Sequence, residues 1–370
     1  MLRLAVRACA LTCLILTSIV PLASAQAKPV VEVAFVLDTT GSMGPLIESA
    51  KRKIWSIATS ILECSPDAEI RMGLVAYRDI GDEYVTKTFD LTTDIQDIYA
   101  HLLELKAQGG GDWPESVNEA LTVAVTKVAW SDRPNTTRIM FLVGDAPPHM
   151  DYAQDTKYPV VMTMARERNI VVNAVQAGRA RDTERVWRDI AQMGHGEYIP
   201  IPQDGGAVVI IETPYDEEII ELQKGVNRTV VPYGSHAQQT SVNQKTAQVG
   251  AASAPAASDM VSYLSKSRRS GPAEAVTGSG DLVADVAAGR QKLEALKDDD
   301  LPSDVRKMNE TERKTYLDKQ LAERGVLSQR LADLVKKRDD YMTAERSKKP
   351  AKSGDSFDRA VETTLRAQIR

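Results

Sequence analysis

The stretch Val31-Glu32-Val33-Ala34-Phe35-Val36-Leu37-Asp38-Thr39-Thr40-Gly41-Ser42-Met43 decides how this chain folds. Its first seven residues form a near-continuous β-branched and apolar run, the pattern of a strand covered on both faces inside a parallel sheet. The run stops at Asp38, and beyond the next loop Ile47, Ala50, Ile54, Ile57, Ala58 and Ile61 recur at helical spacing. Residues 45–62 therefore read as an amphipathic helix packed back on that strand. Strand signals follow near 69–77, 84–90, 138–143, 170–176 and 197–201, and helix signals near 94–107, 114–130, 158–168, 182–193 and 215–223. This alternation predicts an α/β fold with an open, mainly parallel sheet and helices on both faces. The short polar run 84–90 suits an antiparallel edge strand.

The chain has 370 residues, enough for one large domain or two small ones, with 43% apolar and 26% charged residues. Its 46 Lys and Arg against 51 Asp and Glu give a net charge of −5, which speaks against a nucleic-acid binder. Residues 1–25 read as an export signal: Arg3 and Arg7 give a basic start, residues 8–27 are uncharged, Pro21 breaks the apolar run, and small-x-small sites follow at 23–25 and 25–27. The destination is periplasmic or secreted, and contact with a membrane is expected only if this segment stays uncleaved. Cys9 and Cys13 would leave with it, so Cys64 would be the one thiol of the mature chain.

Beyond the alternating region the composition changes. Residues 226–278 are rich in Gln, Ala, Ser and Gly, as in "SHAQQTSVNQKTAQVGAASAPAAS" at 235–258, and read as a flexible low-complexity linker with a short helix around Met260–Leu264. Aromatic residues are sparse after Tyr233, which places the packed core in the first two thirds of the chain. Residues 279–345 read as a small all-α region. Leu282, Val283, Val286, Leu293 and Leu296 share one face, and a second helix starts at Asn309, which has capping-box spacing to Glu312. Its stripe of Leu317, Leu321, Leu327, Leu331, Leu334 and Tyr341 is broken by Arg324 and Arg338, favouring a helical hairpin or short coiled coil that could self-associate. Residues 346–370 read as a charged, solvated tail with helical character.

Three loops carry the chemistry. Asp38, Thr40 and Ser42 place oxygen side chains at alternate positions at the carboxyl end of the first strand, where ligands sit in open α/β sheets. Such a loop suits a hard cation, and equally a set of helix caps. The segment Gly109-Gly110-Gly111-Asp112-Trp113-Pro114-Glu115 lies between two expected helices, and the strand 139–143 ends in Gly144-Asp145-Ala146-Pro147-Pro148-His149. In this order and spacing the three loops resemble the metal-ion-dependent adhesion site of a von Willebrand factor A-type domain, over residues 30–225. "YRDIGDEY", "GGGDWPES" and "GDAPPH" are similar to the A-type domains of hemicentin-like proteins and of those attached to alpha-kinases, although residues 226–370 hold no kinase motif.

The resemblance implies a Rossmann-like sheet and a bound divalent cation, Mg²⁺ first, with Mn²⁺ or Ca²⁺ as alternatives. It implies that Thr40 and Ser42 offer hydroxyls, that Asp38 and Asp145 hold the ion directly or through water, and that Asp112 completes the set where most relatives have threonine. Asp112 could instead cap the helix starting near Pro114. The function implied is non-enzymatic binding of a protein partner, with its Asp or Glu filling an open position on the ion, and a last helix around 204–223 able to couple to that event. A structural envelope protein whose metal only stiffens the fold, and a metal-assisted hydrolase, are the competing readings. His149 reads as a donor behind the site or a residue fixing its loop, and Trp113 as a ligand contact or a shield packed on Pro114. Intact-mass measurement of the exported protein checks the first expectation: the mature chain begins near Gln26 or Lys28.

Overall fold

The computed structural model describes residues 28–206, 211–267, 274–348 and 357–369. The export signal expected at 1–25 lies outside the described residues. Among those described, no helix is long and apolar enough to cross a membrane.

Six strands form one sheet in the order β3-β2-β1-β4-β5-β6. They are β1 (Val30–Asp38), β2 (Glu69–Tyr77), β3 (Thr86–Thr92), β4 (Thr136–Gly144), β5 (Ile170–Ala177) and β6 (His195–Ile201). All neighbours run parallel except β3, the antiparallel edge. The central strand β1 is flanked by β2 and β4, with Leu37 opposite Ala76 on one side and Val143 on the other. The period-two alternation of β1 divides the interior. Val31, Val33 and Leu37 join a cluster with α1 (Gly44–Cys64) and α2 (Ile95–Glu104), while Ala34 and Val36 join one with α3 (Val117–Thr126), α4 (Tyr158–Glu167) and α5 (Arg181–Met193). The expected α/β architecture is therefore the observed one.

The second half departs from expectation. Residues 226–278, expected as a linker, continue α6 (Asp216–Arg228) and then carry α7 (His236–Ala251) and α8 (Ala254–Ser267). Small side chains explain α8: Ala256, Ala257, Ser258 and Ser262 are buried beside Met260, Val261, Tyr263 and Leu264, so the helix lies closely against α1 and α6. Polar contacts dock α7. The Gln96 and Gln248 side chains bond each other and each other's helix, with Gln96 Nε2 donating to Gln248 Oε1 at 3.1 Å and Gln248 Nε2 to the Gln96 carbonyl at 2.9 Å. Lys245, 5% exposed, pairs with Asp94 and donates to the Thr277 carbonyl. Hydrophobic periodicity does not register such a helix, because polar atoms make its contacts.

The expected hairpin over 279–345 is likewise corrected. A short α9 (Leu282–Ala287), two 3₁₀ turns and α10 (Ser303–Arg306) lead into one unbroken 39-residue helix, α11 (Glu310–Lys348). Asn309 and Glu312 form the expected capping box, at 3.0 and 2.8 Å. The two arginines that interrupt the leucine stripe are buried within it. Arg324 donates to the Thr229 hydroxyl and carbonyl, both at 2.7 Å, and pairs with Asp281, while Arg338 spans Asp216 at 2.9 Å and Asp259 at 2.7 Å. The tail expected to be solvated contains α12 (Phe357–Gln368), which seats Phe357, Val361 and Leu365 in the main core against α1. A reciprocal amide pair, Asn173 with Gln368 at 3.0 and 2.7 Å, fixes its far end to β5. The core thus spans sheet and carboxyl-terminal helices rather than the first two thirds of the chain.

Removing one partner of a buried ion pair strands the other charge. Arg338→Ala is accordingly expected to lower stability by about 3–5 kcal/mol, read from urea midpoints. In wild-type protein residues 235–267 should resist brief proteolysis and unfold in the same transition as the sheet.

Candidate functional site

The sheet reverses its winding between β1 and β4: from β1 the order continues through β2 to β3 on one side, and from β4 through β5 to β6 on the other. Loops leaving the carboxyl ends of these two strands diverge and open a crevice between them. Asp38 ends β1 and Asp145 follows β4, so both carboxyls come to this point. Gly144 makes the approach possible, since a Cβ there would lie 2.4 Å from the Tyr77 hydroxyl and 3.3 Å from Asp38 Oδ2.

Backbone hydrogen bonds stitch the three loops together. Gly41 N donates to the Gly109 carbonyl at 3.1 Å, Glu115 N to Pro147 at 3.0 Å, and His149 N to Glu115 at 3.1 Å. Gly110, at φ +76°, comes so close to the first loop that a Cβ would meet Thr40 Cβ at 3.1 Å. The result is a cleft of about 230 Å³ lined by Thr40, Ser42, Gly110, Asp112, Glu115 and Asp145.

Asp38 is fully buried. Its Oδ1 accepts from Thr40 N at 2.8 Å and Thr40 Oγ1 at 2.7 Å, and its Oδ2 makes no hydrogen bond. The Thr40 hydroxyl lies 3.4 Å from that of Ser42. Neither hydroxyl caps a helix, because the Thr40 side chain makes no cap bond to the 3₁₀ turn and α1 takes its N-cap from Met43. Gln203, a residue the sequence reading missed, donates to Asp145 Oδ2 at 2.6 Å. Burial pushes the Asp38 carboxyl up to about 7, with the charge of Asp145 adding to it against the Thr40 bonds. Burial also raises Glu115, to about 9, reinforced by the charges of Asp38, Asp79, Asp145 and Asp82. An orphaned buried carboxylate oxygen, two hydroxyls and an excess of acids make a donor set that fits a hard divalent cation.

Asp112 stands at the mouth. It does not cap α3, which starts at Val117 with Ser116 as N-cap. It is exposed, and its Oδ2 lies 3.5 Å from His149 Nε2, itself 3.5 Å from Asp79 Oδ2. Asp79, His149 and Asp112 thus form a second cluster, of which the sequence reading singled out only Asp112 and His149. Trp113 is about half exposed and donates its indole N–H to Asp182 Oδ2 at 2.6 Å, so it packs as a rim residue tied to α5.

The family model for the von Willebrand factor A domain matches residues 32–213, the segment that builds the sheet and all three loops. The chain carries a von Willebrand factor A domain. Such domains commonly mediate protein–protein interaction and often bind a divalent cation. The chain is 30% identical over 125 residues to alpha-protein kinase vwkA of Dictyostelium discoideum, covering 34% of this chain and 20% of the relative. It is 37% identical over 97 residues to von Willebrand factor A domain-containing protein 7 of Rattus norvegicus, covering 26% and 10%. The chain thus spans a fifth or less of the length of these relatives. Against the solved SpRpn10 VWA domain it has a TM-score of 0.36 at 12% identity, covering 48% of this chain and 89% of the other.

A carboxyl whose folded pKa lies above its unfolded value stabilises the fold below the unfolded pKa, and that contribution is lost as pH rises through the folded one. For this domain without metal, stability is expected to fall from about pH 4 through about 7 and on toward 9, as Asp38 and then Glu115 ionise. Thermal melts with and without Mg²⁺ check this: the stabilisation by Mg²⁺ should be larger near pH 8 than near pH 5, and Asp38→Asn should remove it while raising the melting point of the metal-free protein.

Proposed function

We propose that this chain is an exported, non-enzymatic adaptor whose von Willebrand factor A domain grips an acidic side chain of a protein partner. The observation that carries the reading is the buried Asp38 carboxylate with an unpartnered oxygen beside Thr40 and Ser42, at the base of an open cleft. Asp38, Thr40, Ser42 and Asp145 would hold a divalent cation, Mg²⁺ first, which when bound supplies a position for a carboxylate from outside. The chain's own residues prepare that event. Thr40 fixes Asp38 through two hydrogen bonds, Gln203 orients Asp145, and the bond from Gly41 N to the Gly109 carbonyl ties the glycine loop to the hydroxyl loop, with Thr40 buried and Ser42 exposed in the cleft.

The rim supports a macromolecular partner over a small one. Six large apolar side chains are exposed among the described residues, and three of them directly follow an acid or histidine of the two clusters in sequence: Ile80 after Asp79, Trp113 after Asp112, and Met150 after His149. A polar, charge-rich centre ringed by apolar groups is the composition of a protein interface with a desolvated anchor.

Affinity capture from the native extract tests this. Partner retention in Mg²⁺ should vanish on chelation and with Asp38→Ala, and Trp113→Ala should weaken it roughly tenfold. The same partners retained in chelator would favour the competing reading, in which the metal only stiffens the fold.

A further inference from the structure

We propose that Asp79, Asp112 and His149 form a second metal site, for a borderline transition ion such as Zn²⁺, at the mouth of the cleft and distinct from the set around Asp38. The proposal does not rest on the partner-binding reading. It assigns Asp112 to His149 rather than to the hydroxyl pair.

His149 carries the argument. Its ring is 6% exposed, and its Nε2 makes no hydrogen bond although Asp79 Oδ2 and Asp112 Oδ2 each lie 3.5 Å away. The other ring nitrogen, Nδ1, is 2.9 Å from Asp151 Oδ1. A carboxylate there accepts the Nδ1 proton, so that in the neutral ring the Nε2 lone pair faces two carboxylate oxygens and is the atom open to a metal. In that form three electron-rich atoms are turned on one point, and a cation among them relieves their repulsion. This carboxylate–histidine arrangement is also the usual outer support of a metal-bound imidazole.

The ring and the buried acid are held in place before any ion arrives. His149 stacks on Tyr152 at 3.9 Å and 7°. The Tyr152 hydroxyl donates to Asp79 Oδ2 at 2.8 Å, and the Ser116 hydroxyl to Asp79 Oδ1 at 2.7 Å. Bonds of about 2.0–2.2 Å in a tetrahedral site require ligand atoms roughly 3.3–3.5 Å apart, close to both distances from His149. The three ligand atoms all lie within 4.8 Å of one another, and the exposed Asp112 closes the set by a small side-chain movement. An imidazole with carboxylates favours Zn²⁺ over Mg²⁺ or Ca²⁺, which take oxygen ligands.

The test is calorimetric titration of Zn²⁺ into the full chain, stripped of metal and held in excess Mg²⁺. One Zn²⁺ per chain is expected, with His149→Gln weakening binding at least 100-fold and Asp151→Asn, which removes only the support on Nδ1, about 10–100-fold. Asp38→Ala should lose the Mg²⁺-dependent rise in melting temperature and keep the Zn²⁺ affinity. Should His149→Gln fail to fold, Asp112→Asn at the exposed position gives the same reading. Absence of Zn²⁺ binding would overturn the proposal and leave a proton on Nε2 as what joins the carboxylates. Zn²⁺ binding lost in Asp38→Ala but kept in His149→Gln would overturn it as well.

Discussion

Two carboxylic acids, Asp38 and Asp145, are forced together at the point where the sheet changes its direction of winding, and Asp38 is fully buried there. The parallel register of β1 with β4 leaves no choice about this meeting, because the strands end level with one another. Burial makes ionised carboxyls costly, which is why Asp38 and Glu115 sit far above their ordinary range. The surrounding structure manages that cost without relieving it. Thr40 satisfies one oxygen of Asp38, Gln203 binds Asp145, and Gly110 and Gly144 let neighbouring backbone close in. What remains is an unfilled need for positive charge, and the cleft is its opening to solvent.

The carboxyl-terminal half acts on this site through α1. That helix begins immediately after the Asp38–Ser42 loop, so its position fixes where the loop's oxygens point. α8 and α12 lie along it, and Lys53 of α1 pairs with Asp358 of α12 at 3.4 Å. At its carboxyl end, Lys266 and Arg366 both bind Glu63, at 2.8 and 2.9 Å. The middle and carboxyl end of α1 are thus tied to α8 and α12 as well as packed on the sheet. The region beyond the family match is therefore part of the same folded body, and Arg324 and Arg338 are its internal fasteners.

Much of the domain could be read from the residue order. The apolar run of β1, the helical spacing of Ile47 to Ile61 and the polar edge at β3 each follow from a local period, and each element appears where its period places it. The loops ending in Asp38, Asp112 and Asp145 were legible because strand ends and glycine clusters mark where a chain turns. Asp79 was not. It sits two residues past the end of β2 in an ordinary polar turn, and its weight comes from Ser116, Tyr152 and His149, which approach it from elsewhere in the chain.

By itself the sequence determined the sheet, its helices and the identity of the oxygen donors, because these depend on periodicity within a dozen residues. Only the tertiary structure decided that a Gln-, Ala- and Ser-rich stretch would be helical, that Arg324 and Arg338 would be buried, and that Asp112 would face His149. The reason is the same in each case. Such residues gain their stability from a specific partner far away in the chain, such as Gln96 for Gln248, Asp281 for Arg324 and Asp216 for Arg338, and a long-range polar pairing leaves no period in the sequence to be read.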